Sequence, residues 1–364
     1  MIRQTFFTLL FILMCHTLMA QLILLEQPPK HYICYRTSGE MTMDGKLDEK
    51  EWQSAEWTDE FVDIEGDKQP LPYYKTRVKM LWNDTYLYIA AQLEEPHLWA
   101  TYTERESVIF HENNFEVFID PNGDTHNYYE YEVNALGTEW DLMMTKPYRY
   151  NGLPISAWDL AGLKKGINLQ GTLNDPSDID TGWTIEMAIP WKTLKEAATR
   201  GPGPFAGDKW RVNFSRVEWR LDVIDGEYSK TINPETGNSF PEHNWVWSPQ
   251  HVVDMHKPEY WGIVQLSEIN AGEETENYVI APDFETKVLL RELFDQQHIF
   301  RHEHNRFALT IDELEIDSKI LNDREIIFDA VNNRFTLSSP SKEKGYSWYI
   351  REDSKIWKAP TNVQ

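Results

Sequence analysis

The 364-residue chain has only two cysteines, Cys15 and Cys34. Loss of an N-terminal leader would remove Cys15, leaving Cys34 without a partner; an intrachain disulfide is excluded and a large core must stabilise the fold. Basic residues are also scarce: 35 Lys and Arg stand against 59 Asp and Glu, a net charge of −24. Such a chain repels nucleic acid and anionic lipid, and the surplus charge serves solubility. Long apolar runs are missing too. Residues 6–14 form an apolar stretch too short to span a bilayer, and no later segment offers a second candidate. Preceded by Arg3 and closed by Thr17-Leu18-Met19-Ala20, it reads as a signal peptide over residues 1–20. The expectation is an exported protein, periplasmic or secreted, with no membrane span. Met14 before Cys15 is a poor match to a lipoprotein cleavage site.

Aromatic residues, by contrast, are plentiful: they make up 13% of the chain, with 15 tryptophans. Flat rings stack on sugars, although an aromatic core would produce the same composition. Residues 76–82 and 85–93 alternate around the Asn83-Asp84 turn as a hairpin. Further strands are expected over 167–172, 183–189, 210–219, 245–248 and 260–266, with a short helix opened by Pro190. Short strands, frequent turns and few helices predict an all-β fold, an antiparallel β-sandwich over residues 40–268. An acidic linker is expected over 269–283. Leu289, Leu293 and Phe300 then lie at helical spacing, and a small α+β unit follows over 284–364.

The most informative stretch is 110–141. Phe115, Val117 and Ile119 oppose Glu116, Phe118 and Asp120, while Tyr129, Tyr131 and Val133 oppose Glu130, Glu132 and Asn134. A loop centred near Asp124 sets Glu116 across from Glu132 and Asn114 across from Asn134. Two like charges directly across a sheet repel, so a cation, an arginine, a shared proton or a ligand must offset them. Arg216, in the strand NFSRVEW, is the candidate counter-ion. Asp120, Asn122 and Asp124 read first as a turn. They also alternate oxygen ligands as calcium loops do, without the later glutamate of an EF-hand.

The segments MDGKLDEKEW, RVKMLWNDTYLYIAAQLEEP, NNFEVFIDPNGD, YEYEVNALGTEWD, GWTIEMAIPWKTL and YWGIVQL, in this order, resemble the family 9 carbohydrate-binding modules. The resemblance implies a β-sandwich that clamps a sugar ring between two aromatics and bonds its hydroxyls, often beside glycoside hydrolases and with structural calcium. By motif position it implies that Phe110 is one clamping aromatic, Glu116 the acidic hydrogen-bonding residue and Asn134 the amide. Glu132 stands where an arginine is expected. Met255, next to His256, stands where the second aromatic is expected. The leading reading is therefore a non-catalytic carbohydrate-binding protein of an exported polysaccharide-degrading system. Two alternatives stay open: a glycoside hydrolase using the paired carboxylates, and a haem-binding sandwich using Met255 or His256 as an axial ligand.

Overall fold

Period-two alternation in the sequence becomes strands with one face in a shared core. The computed structural model describes residues 28–198, 204–314, 316, 321 and 324–361; the signal peptide expected over residues 1–20 lies outside them. Residues 29–278 form one unit and the segment from Val279 onward another. In chain order the first begins with β1 (His31–Arg36), α1 (Lys50–Ser54), β2 (Val62–Asp63), β3 (Thr76–Trp82), β4 (Tyr86–Glu94), β5 (Asn114–Asp120), β6 (Tyr128–Asn134) and β7 (Glu139–Met144). It continues with β8 (Pro154–Ile155), β9 (Lys164–Gln170), β10 (Gly182–Pro190), α2 (Trp191–Leu194), β11 (Lys209–Glu218), β12 (Leu221–Ile224), β13 (Glu227–Lys230), β14 (His243–Val246) and β15 (Gly262–Asn270).

The strands run in the order β8-β7-β6-β5-β11-β15-β1-β3-β4-β10-β9, with β14 on β11 and β2 on β14. This path folds over at β1. Residues 31–34 pair parallel with 263–266 of β15, the register breaks between Cys34 and Arg36, and Tyr35 and Arg36 pair parallel with Leu81 and Trp82 of β3. The front sheet (β5, β6, β7, β11, β15) and the back sheet (β3, β4, β9, β10) close over one core. Phe115, Val117, Tyr131, Phe214 and Leu266 enter it from the front, and Val78, Met80, Ile89, Ile185 and Met187 from the back. The expected sandwich is present, and its departure from a purely antiparallel arrangement is confined to β1.

A second cluster lies on the other face of the back sheet, where Trp52 of α1 is buried against Leu81, Tyr88, Ala90 and Ala188. Glu186 holds this layer in place. Its carboxylate accepts the Trp52 indole N–H at 2.6 Å and the Gly45 and Asp44 amides at 2.8 and 3.1 Å. Gly45 has φ +85°, and a side chain there would meet the Asn168 backbone nitrogen at 2.4 Å; both the turn and the close approach require glycine.

The expected linker is partly strand. β15 runs on to Asn270, Glu276 accepts from Gln265 at 2.8 Å, and Tyr278 stacks on His31 at 4.4 Å. Glu276 and Tyr278 therefore dock on the sandwich through side-chain contacts that composition does not encode. In the second unit, α3 (Phe284–His304) precedes a four-stranded antiparallel sheet of β16 (Ile327–Val331), β17 (Arg334–Pro340), β18 (Tyr346–Arg351) and β19 (Ile356–Pro360). Phe294 and Phe307 pack on Phe335, and Asp283 accepts from Ser341, Lys342 and Trp348. No helix among the described residues is long and apolar enough to cross a membrane.

Glu186→Ala leaves three donors without an acceptor and is expected to destabilise the sandwich by about 3 kcal/mol. Urea denaturation followed by tryptophan fluorescence measures this, and a loss below about 1 kcal/mol would deny Glu186 its organising role.

Candidate functional site

The front sheet turns its outer face away from the core, and the hairpin register decides what that face carries. β5 and β6 pair with Glu116 opposite Glu132, Asn114 opposite Asn134 and Phe118 opposite Glu130. On either side, Ser215 of β11 faces Glu116, and Trp140 of β7 faces Glu132. Phe118, Tyr128, Leu142, Met144 and Trp261 form an apolar cluster on this face, with Trp140 and Met255 packed on it. Next to that cluster the carboxylates are nearly water-free: Glu116 is 4% exposed, Glu130 6% and Glu132 2%.

Their partners are few. Glu116 accepts from the Asn114 amide at 3.2 Å and from the Ser215 hydroxyl, and Glu132 accepts the Phe110 backbone N–H at 2.9 Å. Among the described residues no N–H or hydroxyl donates to Glu130 Oε2. Among the described residues none of the three has a Lys, Arg or His ion-pair partner. Burial, reinforced by mutual repulsion for Glu130 and Glu132, pushes these acids upward: Glu116 to about 7, Glu130 to about 8 and Glu132 well above the usual range. Glu130 and Glu132 are in hydrogen-bonding contact, so they share a proton.

Arg216 is not the counter-ion. Alternation along β11 sends it to the inner side with Val212 and Phe214, where it is buried, bonded to Glu95 at 2.7 Å and Glu218 at 2.9 Å, and stacked over Trp245 at 5.3 Å. Asn134 is on the expected face but fully engaged. Its amide donates to the Tyr102 carbonyl at 2.9 Å and to Glu112 at 2.6 Å, and its oxygen accepts the Thr138 N–H at 2.9 Å. It shapes the loop before β5 and has no donor left for a ligand.

Phe110 lies on the 3-10 turn Ile109–His111, 36% exposed, with its amide on Glu132 and its carbonyl accepting from the Trp219 indole at 3.1 Å. Met255 is partly buried against the Phe118 cluster. His256 is half-buried, with Nδ1 on the Tyr128 hydroxyl at 2.8 Å; desolvation and then Arg149 push its imidazolium down to about 3. Both residues are committed to packing. The ring that stands at this position is Tyr148, 45% exposed, edge-on to His256 at 4.6 Å. The charges of Glu130 and Glu132 reach its hydroxyl and, after burial, help push it up to about 12. Tyr148 sits in a loop without periodicity, so only the structure brings it here. Glu130 had a signal, since alternation placed it beside Glu132.

The residues proposed for calcium are wired as a turn. Asp120 accepts from the Gly123 and Thr125 amides at 2.9 and 2.8 Å, Asn122 from Asp124 at 2.9 Å, and Asp124 from His126 at 2.8 Å. These oxygens brace the loop through backbone N–H groups. A second acidic group, Glu106, Asp141 and Asp159, has ligand atoms within 4.8 Å of one another, but Arg105 pairs with all three and supplies the counter-charge.

Residues 43–203 match the family described as carbohydrate family 9 binding domain-like. Over this segment the chain is similar to that family. The family 9 match ends before β11, so the strands that complete the front sheet lie beyond it. Endo-1,4-beta-xylanase A of Thermotoga maritima is 27% identical over 157 residues, 43% of this chain and 13% of that protein. Exoglucanase XynX of Acetivibrio thermocellus is 26% identical over 117 residues, 32% of this chain and 9% of that protein. The chain thus spans a small part of these relatives' length. A family 9 module of Caldicellulosiruptor kristjanssonii, solved with cellotriose, aligns over 69% of this chain and 98% of its own at 15% identity and a TM-score of 0.42.

Raised carboxyls bind protons more tightly in the folded than in the unfolded chain, so their contribution is fully present below about pH 4.5 and is lost as pH rises through 7 to 8. The melting temperature is therefore expected to be higher at pH 5.5 than at pH 8.0, by about 5 °C. Glu132→Gln should shrink that difference. A melting temperature that rises over this interval in calorimetry would contradict the assignment.

Proposed function

We propose that the protein is a non-catalytic carbohydrate-binding protein whose ligand lies on the outer face of β5 and β6, beside Phe110 and Tyr148. The observation that carries this reading is the family 9 match over residues 43–203. The geometry supports this face as the site: Phe110 and Tyr148 are part-exposed rings beside acceptors suited to hydroxyl donors. Phe110 is tied through its own amide to the carboxylate it flanks, which keeps its ring near the polar groups. Relatives named as a xylanase and an exoglucanase support a role beside glycoside hydrolases in polysaccharide breakdown. The leader-like sequence supports a periplasmic or secreted location.

Hydrolysis by the same carboxyls is the weaker reading. A retaining glycosidase holds one carboxyl ionised as nucleophile beside one kept protonated, and here burial pushes all three in the same direction. For the haem alternative, the imidazole of His256 is already bonded through Nδ1 and packed between Tyr148, Tyr128 and Phe118.

Isothermal titration with cello- and xylo-oligosaccharides is expected to show binding in the micromolar to millimolar range, without release of reducing sugar. Phe110→Ala and Tyr148→Ala should each weaken it about tenfold, the loss of one stacking contact. A glycan array blank for wild type would sink the proposal.

A further inference from the structure

The aromatic side of the site does not stop at Phe110. Trp219, the residue after β11, is in phase with Ser215 and Val217, so alternation sends it to the outer face that carries Glu116. Its indole N–H donates to the Phe110 carbonyl at 3.1 Å, and its backbone N–H donates to the Asn113 side chain at 2.8 Å. The half-buried ring is thereby fixed beside the turn that presents Phe110. One face of it is occupied. Lys230, the last residue of β13, holds its ammonium 3.3 Å from the ring centre, and among the described residues it has no ion-pair partner. Burial pulls this ammonium below its usual range, against the opposing charges of Glu242 and Glu112. Glu242 is half-buried and has no hydrogen-bond or ion-pair partner among the described residues, yet its charge reaches both Lys230 and Glu116.

These groups supply what one more sugar residue needs: a flat ring for its C–H face, and a charged donor and acceptor for its hydroxyls. Unlike the carboxyls of β5 and β6, all three side chains are partly open to solvent. An ammonium resting on a partly exposed indole is held weakly, and an unpaired carboxylate within reach of its charge can receive it. We infer that Trp219, Lys230 and Glu242 form a second sugar subsite next to Phe110. A ring of the bound chain takes the place of the Lys230 ammonium on Trp219, and Lys230 turns to Glu242. The site therefore prefers a chain of linked sugars to a single one. The inference rests on the carbohydrate-binding reading and deepens it by naming the extent of the ligand. All three residues lie beyond the matched segment 43–203, so the subsite belongs to the part of the front sheet that this chain adds to it.

The test is isothermal titration of the full chain with glucose against cellotetraose and with xylose against xylotetraose. In the pair that binds, wild type is expected to hold the tetrasaccharide about tenfold more tightly than the monosaccharide, the gain of one further stacking contact. Trp219→Ala should bring that ratio to about one. Lys230→Ala removes the ammonium that competes for the ring and should tighten tetrasaccharide binding roughly two- to threefold. A wild-type ratio near one overturns this inference and leaves the carbohydrate-binding reading standing. So does a ratio that Trp219→Ala leaves unchanged while both ligands weaken, because Trp219 then only supports Phe110. Should Trp219→Ala fail to fold, Lys230→Ala decides alone: tetrasaccharide affinity that stays the same or falls overturns the subsite. Absence of binding by any of the four sugars overturns both readings.

Discussion

The register of β5 against β6 constrains everything around it. Because side chains alternate strictly, the pairing that drives Phe115, Val117, Tyr131 and Val133 into the core also brings Glu116 and Glu132 face to face on the outside. A slip of β6 by one residue would turn Glu130 and Glu132 into the sandwich and expose Tyr129 and Tyr131. The core thus enforces an acidic juxtaposition that is locally unfavourable. The loops carrying Phe110 and Tyr148, together with the Phe118 cluster, then withdraw it from water.

The two sheets divide their labour around that constraint. The back sheet is stapled from outside by Trp52 and Glu186, and β1 joins it to the front by pairing with both β15 and β3. Inside, the Arg216, Glu95 and Glu218 group occupies the place where an apolar residue would otherwise follow Phe214. A buried arginine with two carboxylate partners and two aromatic neighbours is expensive to break. It fixes the end of β11 while contributing no charge to the outer face.

The hairpin was fully legible, register included, since strict alternation on both sides of a turn-forming loop leaves few pairings. So were the hairpin of β3 and β4, the strands β10 and β11, and α3. β1 was not, because HYICYR is short, bulged and paired only with distant residues. In the site, Glu116, Glu132 and Phe110 were readable from pattern and motif. The direction of Arg216 was readable as well, since it falls in phase with Val212 and Phe214, but its attraction to glutamates was satisfied by Glu95, 121 residues away in sequence. Tyr148 had no local signal. Its position depends on Arg149 binding Asp254 and the His256 carbonyl, contacts between two loops that no periodicity describes.

The bond network of Glu186 separates scaffold from site. Trp52 and Gly45 come from the segment MDGKLDEKEW and Glu186 from GWTIEMAIPW, so two stretches 134 to 141 residues apart are tied together on the back sheet. That tie makes no use of the outer face of β5 and β6, so substitutions at Glu116, Glu130 or Glu132 leave its hydrogen bonds in place.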